Sequence, residues 1–178
     1  MFRLRWGLGA ILSGIAVAAA PAAAQTESAP GRAEVLDEIV LENVQGLDFG
    51  PVVAGATGGV VTINANSGAV SSVGGAIPVG SSQQRARFTM NAPAGVVLIA
   101  YLDPNVTLTR QSGTETLTAT LSLSSTNGMV TTNIFGLPIG LLTTDPAQEF
   151  WVGGSLSVPA SQTDGVYEGT FSLDVVFI

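Results

Sequence analysis

The run Tyr167-Glu168-Gly169-Thr170-Phe171-Ser172-Leu173-Asp174-Val175-Val176-Phe177 decides the fold class of this chain. Side chains of a strand alternate between its two faces. Tyr167, Phe171, Leu173, Val175 and Phe177 therefore share one face, with Gly169 in register, and Glu168, Thr170, Ser172 and Asp174 share the other. This is the pattern of a strand with one apolar and one solvated side. Terminal strands fray unless held. Apolar alternation up to Phe177 thus predicts a strand tied into its sheet to the end.

The same signal recurs upstream. Over Thr116–Leu123, Leu117, Ala119, Leu121 and Leu123 alternate with Thr116, Thr118, Thr120 and Ser122. Over Arg85–Met90, Ala86, Phe88 and Met90 alternate with Arg85, Arg87 and Thr89. Val96–Leu102 is nearly all apolar and predicts a central strand buried on both sides. Further strands are expected at Glu38–Val44, continued at Leu47–Gly50 after a turn or bulge, and at Gly59–Asn64, Val106–Arg110 and Trp151–Val158. Ala69–Val73 is a short return strand after the Asn66-Ser67-Gly68 turn, and Asp103-Pro104-Asn105 is turn chemistry. The segment 126–148 holds Asn127-Gly128, Pro138 and Pro146, which oppose a long helix. It is expected to be an irregular excursion with one short strand. Many short strands separated by Gly, Asn, Ser and Pro clusters mean an all-β sandwich or barrel.

The N-terminus has a different grammar. Arg3 and Arg5 precede an apolar run, Gly7–Ala18, and Ala22 and Ala24 form an A-x-A site before Gln25. Basic, apolar, small is the order of a signal peptide, and the run is shorter than the roughly 20 residues a spanning helix needs. The expected organisation is a signal peptide at 1–24, a flexible extension at 25–36 around Pro30-Gly31, and a single β-sandwich domain at 37–178. The alanine-rich signal points to a bacterium. It implies export through the inner membrane to the periplasm, cell surface or medium, with no membrane span after cleavage.

Removing 24 of 178 residues leaves 154, enough for one ordinary core. Arg3 and Arg5 leave with the signal, so a formal charge of −7 becomes −9, and the chain has no lysine. Such a surface repels phosphate backbones, which argues against nucleic acid and anionic lipid as partners. Histidine and cysteine are absent. That excludes Ser-His-Asp and Cys-His nucleophiles and a conventional zinc site. The core has to hold without disulfides.

What remains for chemistry is oxygen. Asp37, Glu38, Glu42 and Asp48 crowd the first strand. A glycosidase needs two carboxylates facing across a sugar, but charges on a strand edge also block aggregation, and that role is expected here. Calcium takes oxygen ligands alone; Asp103 with Asn105, or Asp145 with Glu149, are the candidates, and neither resembles a calcium loop. Gly55–Gly59 lacks the following Lys-Ser or Lys-Thr of a phosphate cradle. Trp151 and Tyr101 are suited to stacking on sugar, but both lie in strand patterns and, with Tyr167, are expected in the core. No enzyme activity, cofactor or metal is expected.

Three segments together carry a resemblance. They are Leu47–Gly55 followed by Val60–Ile63 and the Asn66-Ser67-Gly68 turn; Gln84–Thr89 leading to Ala92–Gly95; and Trp151–Val158 followed by Gly165–Phe171. In order and spacing they resemble the bacterial domain-of-unknown-function family 4402, over roughly Leu47 to Phe177. The resemblance implies a small secreted β-domain, described in alphaproteobacteria as fimbria-like, with no established activity. The segment from Ile134 to Gln148 looks longer than that family's pattern.

The closing motif also resembles the ends of chaperone–usher pilins. There, an incomplete Ig-like sandwich is completed by an N-terminal strand of the next subunit, through ladder hydrogen bonds and alternate side chains in groove pockets. That likeness implies an Ig-like antiparallel β-sandwich. Its pairing interface would comprise Tyr167, Phe171, Leu173, Val175 and Phe177, with Val35, Ile39 and Leu41 on a donor stretch Val35–Val44. The partner would be a second copy or a periplasmic chaperone. The same stretch serves equally as the domain's own first strand, and self-completion is favoured of the two. The expected function is a non-catalytic structural or adhesive protein of the cell surface. A carbohydrate- or ligand-binding module, and then a small outer-membrane β-barrel, stand as alternatives.

Overall fold

The computed structural model describes residues 30–95, 97–125, 130–134, 137–143 and 147–177; for 130–134, 137–143, 147 and 177 it gives the backbone alone. The expected signal peptide at 1–24 and the start of the extension lie outside the described residues. From Val35 onward the chain forms one compact unit.

Every regular element among the described residues is a strand, and every pairing is antiparallel. In chain order these are β1 Val40–Gln45, β2 Val52–Ile63, β3 Val70–Pro78, β4 Ala86–Asn91, β5 Val97–Leu102, β6 Asn105–Arg110, β7 Thr116–Ser125, β8 Val130–Ile134, β9 Leu137–Thr143, β10 Ala147–Val158, β11 Tyr167–Glu168 and β12 Leu173–Phe177. The all-β expectation holds, and the strands fall into two sheets.

The larger sheet turns on β10. One edge of β10 pairs with β7. The other edge is divided: Ala147–Val152 pairs with β4, and Gly154–Val158 pairs with β2. Gly153 stands at the division, and any Cβ there would strike the backbone of Ile63 and Ala65. A residue without a side chain is what lets two strands diverge from one edge. The sheet curls as a result, running β1-β4-β10-β7-β6-β11 with β2 and β3 branching from β10. The smaller sheet has the order β12-β5-β9-β8.

Alternation places the core. Leu117, Ala119, Leu121 and Leu123 of β7 are buried, as are Ala86, Phe88 and Met90 of β4. They join Leu98, Ala100, Leu102 and Leu173 of the smaller sheet in a single apolar cluster. Burial of that surface is the main force holding the sheets together.

Three expectations change. The segment 126–148 is not an irregular excursion with one strand: β8 and β9 pair with each other, and β9 pairs with β5. Pro138 lies just beyond the β5–β9 ladder, which ends at Ile139, so that neighbour does not demand its missing N–H. β5 is central, but only Leu98, Ala100 and Leu102 are buried; Ile99 and Tyr101 face outward, half-exposed. The run from Tyr167 to Phe177 is two strands in two sheets. β11 pairs with β6, β12 pairs with β5, and Gly169–Ser172 crosses between. Its apolar register survives the break: Tyr167, Phe171, Leu173 and Val175 all pack on the common core.

Candidate functional site

Where the chain crosses between sheets, it leaves a cleft of about 1320 Å³. Its floor is apolar: Val106 and Leu108 of β6, Leu117 of β7, and Leu156 and Val158 of β10. One wall is the segment from Gly46 to Ala54, and the other runs from Gln162 to Phe171.

Local chemistry shapes the first wall. Asp48 and Gln84 exchange backbone hydrogen bonds of 2.9 and 2.8 Å, an isolated bridge rather than the expected continuation of the first strand. The Asp48 carboxylate then accepts the Gly50 N–H at 2.7 Å. Gly50 has φ of 64°, a left-handed conformation that glycine adopts without steric cost. This turn carries Phe49 onto the floor, where it is buried.

The second wall is held at both ends. The Gln111 N–H donates to the Val166 carbonyl at 2.9 Å. The Tyr167 hydroxyl donates to the Thr163 carbonyl and accepts from Gln162 Nε2, both at 2.7 Å. The Ser172 N–H donates to Asp103 Oδ2 at 2.7 Å, which pins the crossover. The Phe171 ring meets Phe88 edge-on, with centroids 6.2 Å apart, a favoured aromatic geometry. Three carboxylates line the cleft, Asp48, Asp164 and Glu168, with no basic residue among its lining.

Of the expected interface residues, the structure brings Tyr167 and Phe171 into this cleft. Leu173 and Val175 belong to β12, in the smaller sheet, and Phe177 pairs through its backbone with Leu98. Ile39 and Leu41 pack on this chain's own core, and Leu41 registers with Met90 through the β1–β4 ladder. Val35 is 96% exposed. The N-terminal and C-terminal sets are therefore not paired with each other. The wall from Gly46 to Ala54 escaped the sequence reading as a site element; its signal was the turn Asp48-Phe49-Gly50-Pro51.

Outside the cleft, the expected core position of Trp151 is corrected. Phe150 and Val152 point inward, so Trp151 lies on the outer face, half-buried. The Arg85 guanidinium sits 3.6 Å from its ring centroid, and Arg87 lies 5.6 Å away. Arg85 Nη1 donates to the carbonyls of Ala65 and Asn66. Burial lowers the pKa of Arg85 from its ordinary value, partly opposed by Glu149. Arg87 pairs with Glu149 at 2.7 Å. This stack caps the point where β2 and β4 diverge.

The calcium candidates are occupied by structural bonds. Asp103 holds Ser172, Asn105 accepts the Thr120 hydroxyl at 3.0 Å, and Glu149 pairs with Arg87; Asp145 lies outside the described residues. Among the described residues no group of three metal-ligating side chains converges. Asp37, Glu38 and Glu42 are exposed.

A family model described as "Domain of unknown function (DUF4402)" matches residues 39–177, the span that contains β1 to β12. No curated protein and no solved structure matches the chain.

Proposed function

We propose, from the premise that this chain belongs to the DUF4402 family, that it is a non-catalytic, exported structural or adhesive component of a bacterial cell surface, built as an Ig-like β-sandwich that assembles by strand complementation. The observation that carries this reading is the cleft. It offers an apolar floor beside Gly169–Phe171, a stretch of backbone outside any strand. An extended segment brings both things such a site lacks: ladder hydrogen bonds, and side chains that fill it at every second position.

Charge bears on the occupant. The N-terminal stretch carries Glu34, Asp37 and Glu38, and the cleft is lined by Asp48, Asp164 and Glu168. Like charges oppose that insertion, and Ile39 and Leu41 already lie on this chain's own core. An uncharged or basic apolar strand of a periplasmic chaperone or a neighbouring subunit fits better. A sugar-binding module ranks behind, because Arg85 covers a face of Trp151. An outer-membrane barrel closes its strands into a ring, and it ranks behind because both sheets keep unpaired edges among the described residues.

The test uses the exposed cleft residues Val166 and Thr170. Val166→Lys and Thr170→Lys, expressed in the native host, should leave folded protein in the periplasm while high-mass surface assemblies disappear. Unchanged assemblies would sink the reading. Deleting residues 25–38, which spares Ile39 and β1, should leave assembly intact; loss of assembly would return the donor role to that stretch.

A further inference from the structure

A sheet edge presents a row of N–H and C=O groups without partners, and folded proteins guard such edges with charge, internal proline or a bulge. Most edges here are guarded by charge. β1 carries Glu42 and follows Glu38, β11 carries Glu168, and β12 carries Asp174. β3 differs. It pairs with β2 alone, it carries no charged residue, and its irregularity at Gly74 and its proline at Pro78 both fall beyond Val70–Val73. No charged side chain occurs anywhere from Phe49 to Gln84, in a chain of formal charge −7.

The hairpin is also apolar on its outside. Val73 is 67% exposed and Ile77 57%. Exposed apolar residues grouped on an uncharged edge are the mark of an association surface. β8 is the other uncharged edge, but it spans five residues against nine.

We infer that β3 is a self-association edge, at which two copies of this chain pair antiparallel about a twofold axis and continue the larger sheet from one copy into the next. The occupant follows from charge. Copies of an acidic chain repel each other over most of their surface, and the neutral hairpin is where that repulsion is least. In antiparallel pairing about a twofold axis each copy offers the same donors and acceptors the other needs, so a single sequence completes itself. The ladder is short. Gly74 has φ of 73°, and the β2–β3 register shifts between Ala54 and Gly59. Such a bulge bends the edge and leaves Val70–Val73 as the regular stretch. The contact is therefore a reversible dimer. Val70–Val73 lies outside the lining of the cleft, and the contact does not depend on the cleft's occupant.

The absence of cysteine makes the test direct. Single thiols placed by Ser71→Cys or Ser72→Cys, in the protein purified as the cell processes it, should give a covalent dimer on mild oxidation at one of the two positions. Val44→Cys, exposed on β1, should stay monomeric. By sedimentation equilibrium the unaltered protein should dimerise with concentration, and Val73→Lys should raise the dissociation constant about tenfold or more, because it puts a charge on each copy's pairing edge, with an unchanged circular dichroism spectrum. A protein monomeric at every concentration measured, a Val73→Lys variant that dimerises as before, or cross-linking at Val44→Cys alone would overturn the inference.

Discussion

Gln148 is the one buried polar side chain among the described residues, 2% exposed. It lies on the inward side of β10, two residues before Phe150, and registers with the buried Met90 of β4. Neither its Nε2 nor its Oε1 finds a partner among the described residues. A buried polar group left unpaired costs about 1–3 kcal/mol, and replacing it with an apolar group of similar shape removes that penalty. Methionine matches glutamine closely in length and volume, and volume-conserving swaps in a core cost less than about 1.5 kcal/mol. Gln148→Met should therefore stabilise the fold, by about 1–2 kcal/mol after repacking. At about 2–4 °C per kcal/mol for a chain of this size, the thermal midpoint should rise by several degrees. Urea unfolding followed by circular dichroism should show a higher midpoint with an unchanged slope. Gln148→Glu supplies the contrast: a buried carboxylate with no counter-charge should cost about 3 kcal/mol or more at neutral pH. If Gln148→Met instead lowers stability by about 1 kcal/mol, the amide is bonded in the folded protein and the reasoning fails.

Three further outcomes are expected. Arg110 Nε and Nη2 donate to Glu115 at 2.8 and 3.0 Å, and this bidentate bond is the main cause that holds the Glu115 carboxyl at about 2, below its ordinary 4.5. A depressed carboxyl stabilises the fold above its unfolded value and loses that effect as pH falls. Glu115→Gln should thus flatten the decline in thermal midpoint between about pH 4.5 and pH 2, and a parallel decline in both proteins would refute this. Gly153→Ala should destabilise by about 3 kcal/mol, the upper end of overpacking, because its Cβ would meet backbone rather than movable side chains; chemical denaturation measures it. Arg85→Ala should cost about 1 kcal/mol from the lost stacking and shift Trp151 fluorescence to the red; an unshifted spectrum would show that Arg85 does not shield the ring.

Much of the fold was legible in local pattern. β4 and β7 bury the residues that alternation selects, because a period of two is a property of the strand itself. β8 and β9 were hidden, since Pro138 and the glycines beside it read as breakers until the neighbouring ladder shows where no N–H is needed. Trp151 was misplaced for a different reason. An aromatic ring in a strand reads as core, yet the parity of Phe150 and Val152 puts it outside, under Arg85. The cleft was half legible: Tyr167 and Phe171 stood out, whereas the wall from Gly46 to Ala54 has turn composition with no chemical signature.

The sequence by itself determined that this is an all-β chain without the histidine, cysteine or lysine of common catalytic machinery. It also determined which side of most strands is apolar. The tertiary structure alone decided which edges meet. It divided one edge of β10 between β2 and β4 at Gly153, and it parted the run from Tyr167 to Phe177 between two sheets. The physical reason is that side-chain alternation selects a face, whereas strand pairing is made by backbone groups that are nearly the same at every residue. Only the closing of the whole chain around its core chooses among those partners, and in doing so it opens the cleft and leaves β3 bare.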